Sequence, residues 1–169
     1  MNRSEFEQLI AEEFPHAVPE KFRTMVKNVA FLVEDEPSRE VRAEEGLARN
    51  ETLLGLYRGV PRAVRGDYYG VGPTVPDVIV LYRLPIHDEA NEIAVHDRIS
   101  ADEALRRVVN ETIWHEVAHY LGLGEEAVRA REEERRAEEH VEPAKEERDV
   151  AREFRPRTDD TPPNLPTLE

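Results

Sequence analysis

The sequence has 169 residues, a length that fits one domain with a short extension. Hydrophobic residues make up 39% of it and charged residues 36%, a balance that indicates a compact domain plus a solvated segment. The formal net charge of −14 argues against nucleic acid and anionic membranes as partners, because both repel an acidic surface. The absence of cysteine excludes disulfides, cysteine-ligated zinc and thiol catalysis, so a transition-metal site would use His, Asp or Glu.

The first part of the chain carries no targeting or membrane signal. MNRSEFEQLIAEEF lacks the apolar core of a signal peptide, and no apolar run is long enough to span a bilayer. We therefore expect a cytoplasmic protein. Two short helices are predicted here. Ser4 can cap EFEQLIAEEF (residues 5–14), the stretch from Pro15 to Pro19 breaks that helix, and PEKFRTMVKN (residues 19–28) begins the second.

Three apolar runs with β-branched residues predict strands at residues 29–33, 53–61 and 77–86. The last two runs end at a proline. The third contains VIVLYRLP (residues 78–85), whose proline makes it a candidate for a sheet edge. Residues 38–50 are expected to form a loop or a marginal helix, and residues 87–99 a connector without defined structure.

The clearest helix is expected over residues 101–121. Ser100 and Glu103 form an S-x-x-E capping box at its start, and Gly122 and Gly124 mark its end. Beyond residue 130, acids and bases alternate with almost no apolar residues, and the last stretch is rich in proline. The sequence therefore predicts a globular domain over residues 1–130 and a charged tail, partly helical to disordered, over residues 131–169.

The long helix contains His-Glu-x-x-His, a pattern typical of zinc sites. Residues four apart lie about 40° from each other on a helix, so His115 and His119 project from one face and can bind one ion. Glu116 lies about 100° around the helix, an offset that suits a general base and not a ligand. A pair of structural core histidines is the weaker interpretation, because burying them without partners on so apolar a helix would be costly.

A catalytic zinc site needs a third protein ligand, for which two placements compete. In the short form, Gly122 turns the chain and brings back the residue ten positions after the first histidine, which is Glu125. In the long form, a glutamate on a following helix binds the metal, and Glu138 and Glu139 have that spacing. The short form is favoured because a tight turn explains the glycine and because residues 138–139 lack an apolar stripe to hold them. Glu126 is a one-residue alternative to Glu125.

The sequence resembles the bacterial mini-zincin metallopeptidase family, because several separated segments of it agree with that family in the same order. The resemblance rests on HEVAHYLGLGEE (115–126), LLGLYRGVP (53–61), PDVIVLYRLPI (76–86) and NVAFLVEDEP (28–37), and it covers about residues 1–130. It implies a minimal zincin-like α+β fold, in which a small sheet and N-terminal helices pack on the active-site helix. It also implies zinc-dependent peptide hydrolysis with His115, His119 and an acidic ligand at the Glu125 position, and with Glu116 as the base.

The sequence thus predicts a zinc metallopeptidase that acts on a peptide or protein and binds neither nucleic acid nor membrane. The resemblance implies that the substrate binds as an extra strand at a sheet edge, for which residues 78–85 are the candidate. Tyr82 is a candidate for stabilising the oxyanion, with packing as its alternative role. Larger enzymes with the short motif support the metal with a methionine turn after the third ligand. The methionines here are Met1 and Met25, which both precede the motif, so no residue is assigned to the support beneath the metal.

Two other functions stay open at this point. One is a catalytically weak or inactive metal-binding protein that uses its charged C-terminal arm to bind a basic partner. The other is a regulatory protease of the ImmA/IrrE type, which the absence of an apparent DNA-binding segment disfavours. The oligomeric state is also open, with a homodimer as one option.

Overall fold

The computed structural model describes residues 1–65, 75–124, 126, 128 and 129. The order of elements is α1 Arg3–Ala17, α2 Glu20–Arg23, β1 Val29–Glu34, α3 Arg39–Glu44, β2 Gly55–Arg58, a 3-10 helix Arg62–Val64, β3 Asp77–Tyr82, α4 Arg83–Asp97 and α5 Ala101–Leu121. This is a mixed α+β domain, which confirms the predicted fold class. The predicted tail at residues 131–169 lies outside the described residues and stays a prediction.

The three strands form one sheet in the order β1-β3-β2. β1 runs parallel to β3, and β2 runs antiparallel to it with Gly55 opposite Leu81. β3 is therefore the central strand, and its side chains from Ile79 to Tyr82 are buried on both faces of the sheet. The expectation that residues 78–85 form the exposed edge is wrong, because a continuous apolar run is what a strand covered on both faces requires. Among the described strands, β1 and β2 are the edges.

α5 matches its prediction residue for residue. Ser100 caps it by accepting a hydrogen bond from the amide of Glu103 at 3.1 Å. The helix packs against β2, β3, α1 and α4, and its residues Val109, Ile113 and Val117 are fully buried in that core. Each such side chain contributes about 1.5–3 kcal/mol by leaving water. The core therefore holds the helix in place independently of any ligand.

α1 begins earlier and ends later than the sequence predicts. Its cap is Asn2 and not Ser4. The Asn2 side chain accepts from the amide of Glu5 at 3.0 Å, and the Glu5 carboxylate accepts from the amide of Asn2 at 2.7 Å. This reciprocal pair satisfies two amides that the first helical turn leaves without partners. The helix also continues through Pro15 to Ala17, so the proline lies in its last turn and does not end it.

The stretch expected to be a connector forms most of α4. The chain passes directly from β3 into this helix, and Pro85 lies in its first turn, where the amide would have no helical acceptor. Arg83 holds the junction by pairing with Asp35 at 2.9 Å. The fully buried residues of α4 are Pro85, Ile86 and Ala90, which lie in its first half. In the second half, Ile93 and Ala94 pack against the same core but are only partly buried, so the apolar stripe continues at helical spacing.

Two smaller differences concern the region between β1 and β3. α3 forms within the stretch expected to be a loop or marginal helix, and the strand predicted over residues 53–61 is confined to β2. Across the described parts of the chain, none of the helices combines the length and the hydropathy needed to cross a membrane.

Candidate active site

The two motif histidines lie one helical turn apart on α5, and both are partly exposed. The Nε2 atoms of His115 and His119 are 3.0 Å apart, and the ring centroids are separated by 4.7 Å. Two nitrogens bound to one tetrahedral zinc ion at ~2.0–2.1 Å would lie about 3.3 Å apart. The donor atoms therefore already have nearly the separation that a shared metal requires, so the residues present fit two ligands of a zinc site.

A backbone carbonyl orients the second histidine. The Nδ1 atom of His119 lies 3.3 Å from the carbonyl oxygen of Leu123. Because a carbonyl can only accept, this contact places the proton on Nδ1 and leaves the lone pair of Nε2 for a metal. The sequence pattern alone does not reveal this contact, since its acceptor is a main-chain atom.

The carbonyl of Leu123 is in place because of the turn that ends α5. Gly122 adopts a left-handed conformation with φ 93°, the amide of Leu123 donates to the Ala118 carbonyl at 3.0 Å, and the amide of Gly122 donates to the His119 carbonyl at 3.0 Å. This is the Schellman arrangement, which glycine favours because it has no Cβ. The predicted helix end at Gly122 is confirmed.

The Glu116 side chain is 6% exposed and lies against the backbone of β2. A Cβ atom placed on Gly55 would come within 2.8 Å of the Glu116 Cγ, 2.9 Å of its Oε1 and 2.9 Å of the Thr112 methyl carbon. The absence of a side chain at position 55 is thus what lets the edge strand approach the helix at this point. No sequence pattern had singled out this glycine.

A cleft of about 690 Å³ opens between α5 and β2. One side is the motif face of the helix and its terminal turn, and the other is β2 with the 3-10 helix and the residue after α3. Its described lining consists of Glu45, Leu53, Gly55, Leu56, Tyr57, Gly59, Pro61, Ala63, Val64, His115, Glu116, His119, Gly122, Leu123 and Gly124. The motif residues therefore face a space large enough for several residues of a peptide.

An aromatic pair supports the cleft from the sheet side. Tyr57 of β2 lines the cleft, and its ring meets that of Tyr120 edge to face with centroids 6.0 Å apart. The Tyr120 hydroxyl donates to the Met25 carbonyl at 3.1 Å and accepts from the amide of Lys27 at 3.3 Å. In larger enzymes with the short motif, the support for the metal site lies downstream of the motif. Here the segments that contact Tyr120 lie upstream of it, so the support depends on contacts between residues far apart in the chain.

A buried ion pair completes that support. Arg65 forms an ion pair with Asp77, whose side chain is 5% exposed, and the guanidinium lies 5.0 Å above the ring of Tyr120. Arg65 also donates to the Val60 carbonyl at 2.8 Å. These contacts connect the segment after β2 to the start of β3 and to α5.

Tyr82 lies in the core. Its side chain is 1% exposed and it does not line the cleft. Burial raises the pKa of its phenol, and the negative charge of Glu34 adds to that effect. These observations favour the packing role over the oxyanion role considered for this residue.

The favoured third ligand, Glu125, lies outside the described residues, as do Glu138 and Glu139. Glu126 is described and exposed. Within the described ranges, no group of three His, Asp or Glu side chains is close enough to hold a metal ion. The described residues thus bring together two imidazole nitrogens and one adjacent carboxylate, and both their role as metal ligands and the position of the third ligand stay predictions.

Comparison with known proteins adds one result. The sequence model of a family described as zincin-like metallopeptidase matches residues 26–135, well over half of the chain. The matched segment includes all three strands and the whole of α5. None of the curated proteins matches the sequence.

Proposed function

The chain belongs to the zincin-like metallopeptidase family, and from this premise we propose that it is a zinc-dependent peptidase with Glu116 as its general base. The observation that carries the proposal is the convergence of the His115 and His119 Nε2 atoms, 3.0 Å apart, beside the carboxylate of Glu116 in an open cleft. Packing of α5 against the core does not require two imidazole nitrogens to converge on one point.

The proposed metal ligands are His115, His119 and Glu125. The carbonyl of Leu123 keeps His119 in the tautomer that exposes Nε2. Glu125 follows the terminal turn of α5 directly, and Glu126 is the alternative one residue later. Zinc bound there supplies a Lewis acid that activates water near neutral pH and polarises the scissile carbonyl.

Glu116 is proposed to move the proton. Its carboxylate accepts a proton from the attacking water and then delivers it to the amine that leaves. The side chain is held between α5 and the backbone of Gly55, which limits its rotamers. A base fixed in this way loses little entropy when the substrate arrives.

The substrate is proposed to bind as an extended peptide along β2. This strand pairs with β3 on one side, and Gly55, Leu56 and Tyr57 line the cleft on the other. A peptide can add to such an edge through main-chain hydrogen bonds, which bind it regardless of most side chains. The edge assigned to the substrate is therefore β2, and not the run at residues 78–85.

The decisive experiment combines metal analysis with Glu116→Gln. Wild-type protein is expected to contain zinc and to cleave members of a broad peptide library. The variant should keep its zinc and lose about 100-fold to 10,000-fold in rate, because a general base contributes that much. Glu111→Gln, a change of the same kind one turn earlier on α5, is the control and should retain activity. If wild type and Glu116→Gln both hold zinc and are equally inert, the peptidase proposal is rejected in favour of a metal-binding interaction protein.

The third ligand needs its own test. Glu125→Ala is expected to lower zinc affinity sharply, whereas Glu126→Ala should leave it close to wild type. Isothermal titration with zinc measures both. The reverse result would assign the ligand to Glu126.

A further inference from the structure

Glu45 is a charged residue on the cleft wall that has no part in the proposed chemistry. It follows the last residue of α3 and is exposed, and it lines the same cleft as Gly55 and Glu116. Its main chain is fixed, because its amide donates to the Val41 carbonyl at 2.9 Å. The loop that follows is held by Arg42, which donates to the carbonyls of Ala48 and Glu51 at 2.8 Å each. The carboxylate is therefore presented to the cleft by a stable element.

Among the described residues, this carboxylate has no ion-pair partner. Its neighbour Glu44 pairs with Arg58 at 3.5 Å, but no Lys or Arg in the described part of the chain forms an ion pair with Glu45. The described cleft lining also contains no Lys or Arg, and its other charged carboxylate is Glu116. Glu45 thus places a negative charge on its wall of the cleft, where a cationic group of a ligand would be attracted.

The position of Glu45 is not that of a metal ligand. No described group of three potential ligands surrounds a common point, so Glu45 does not complete the histidine pair. Gly55 and Glu116 share the cleft lining with Glu45, and the adjacent Glu44 pairs with Arg58, the last residue of β2, at 3.5 Å. Glu45 therefore belongs to the wall of the cleft on the side of α3 and β2.

We propose that Glu45 makes the cleft selective for peptides that present a positively charged group to the wall of the cleft on which Glu45 lies. The inference rests on the proposed function, because it takes the cleft to be the peptide site. The charged group is an ammonium or guanidinium, supplied either by an internal Lys or Arg side chain or by the free N-terminus of the peptide. Glu45 acts as a specificity-determining residue and takes no part in bond cleavage.

The test measures binding, so that it does not depend on turnover. Labelled peptides are titrated into full-length, zinc-loaded Glu116→Gln protein and followed by fluorescence anisotropy. In one arm the peptides are N-acetylated and carry a single Lys, Gln or Glu at successive positions. In the other arm they contain no Lys or Arg, and the N-terminus is either free or acetylated. The first arm detects a side-chain cation and the second a terminal amine.

At one peptide position, the cationic form is expected to bind about threefold to fivefold more tightly than the neutral form, the range of an exposed ion pair. The difference should shrink in 0.5 M salt, where charges are screened beyond about 4 Å. Glu45→Lys should reverse the preference in favour of Glu peptides, and Glu45→Gln should abolish it. Glu44→Lys changes the net charge equally one residue away and should keep the preference. Zinc content and melting temperature establish that each variant is folded.

The outcomes separate this inference from the proposed function. If peptides bind but charge makes no difference in either arm, or Glu44→Lys reverses the preference as strongly as Glu45→Lys, the role of Glu45 is overturned and the peptidase proposal stands. If no peptide binds to the zinc-loaded protein, both proposals fail together.

Discussion

The two sides of the cleft are built differently. The helix wall, α5 with its terminal turn, carries His115, Glu116 and His119, all within two turns of one regular element. The strand wall, residues 55–64, combines a four-residue strand, a loop and a 3-10 helix of three residues. The helix wall is held by the hydrophobic core, whereas the strand wall is held by a few specific contacts with distant residues. The reactive groups can thus be set by spacing along one helix, but the surface that faces them depends on long-range packing.

The strand wall is where this comparison is most easily broken, because the segment that follows it is joined to the start of β3 by the ion pair between Arg65 and Asp77. Arg65→Met removes the guanidinium that pairs with Asp77, a carboxylate that is 5% exposed. We expect a loss of about 3 kcal/mol in the free energy of unfolding, because a buried carboxylate loses its ion pair with Arg65. Urea denaturation measures it.

The control for that variant is Arg3→Met, which removes an exposed i,i+4 pair with Glu7. It should cost less than about 0.5 kcal/mol. Equal losses for the two variants would mean that the strand wall does not depend on the Arg65–Asp77 pair.

The contact between the two walls is tested by Gly55→Ala. The new Cβ would lie 2.8 Å from the Cγ of Glu116, so either the carboxylate or β2 must shift. We expect kcat/KM for peptide cleavage to fall about 100-fold, the scale of a misplacement of about 1 Å. Zinc affinity should stay unchanged, because both histidines keep their positions on α5. Full activity in this variant would show that β2 does not position the base.

The end of the helix wall is tested by Gly122→Ala. This residue has φ 93°, and a Cβ here would collide with the Cβ of Ala63. We expect a loss of about 2 kcal/mol in stability from the left-handed conformation and the collision. Zinc affinity should also fall about tenfold, since the Leu123 carbonyl would no longer be aligned with His119.

Gly124→Ala provides the matched control, because a Cβ at Gly124 meets no atom of the described residues within 4 Å. It should change neither stability nor zinc affinity appreciably. An equal drop in zinc affinity in both variants would argue that the glycine at 122 has no special role in orienting His119.

The smallest expected effect lies in α4, remote from both walls. Burial lowers the pKa of His87 below its ordinary value of 6.5, and the positive charges of the N-terminus and Arg83 add to the shift. Its Nε2 is buried and has no hydrogen-bond partner among the described residues. The unfolded chain therefore binds more protons, so stability is lost as the pH falls below about 6.5.

His87→Gln should weaken that acid-induced loss by about 0.5 kcal/mol or less, since the ring is partly solvated. Urea midpoints at pH 7 and pH 5, measured without zinc, would detect it, and the exposed His16→Gln serves as the control. A steeper acid dependence in His87→Gln would contradict the assigned direction of the pKa shift.

The elements that the sequence predicted correctly are those whose information is local. α5 has a serine cap, an apolar stripe and a terminal glycine, and all three signals lie within the element itself. β1 is a short β-branched run, and the structure extends it by one residue to Glu34. The predicted histidine pair followed from helix geometry, because the angle between residues four apart is the same in every helix.

The errors arose where neighbouring elements decide. The run at residues 78–85 was assigned to a sheet edge because of its proline, yet that proline belongs to the first turn of α4. α4 has an apolar stripe of Ile86, Ala90, Ile93 and Ala94, but no capping side chain marks its start at Tyr82. Asn2 and Ser4 are both good caps, and the reciprocal contact with Glu5 selects the former. Gly55 carries no local signal, because its role appears only when β2 meets α5.

By itself, the sequence determined the helix that carries the motif, the orientation of two histidines and the offset of Glu116. It did so because these relations span a few residues of one regular element, where backbone geometry converts spacing into direction. The tertiary structure alone decided which strand borders the cleft, that Gly55 touches Glu116, that Tyr57 packs on Tyr120 and that Glu45 faces the same space. These relations join residues far apart in the chain, and packing of the core selects them among the many pairings that the local patterns allow.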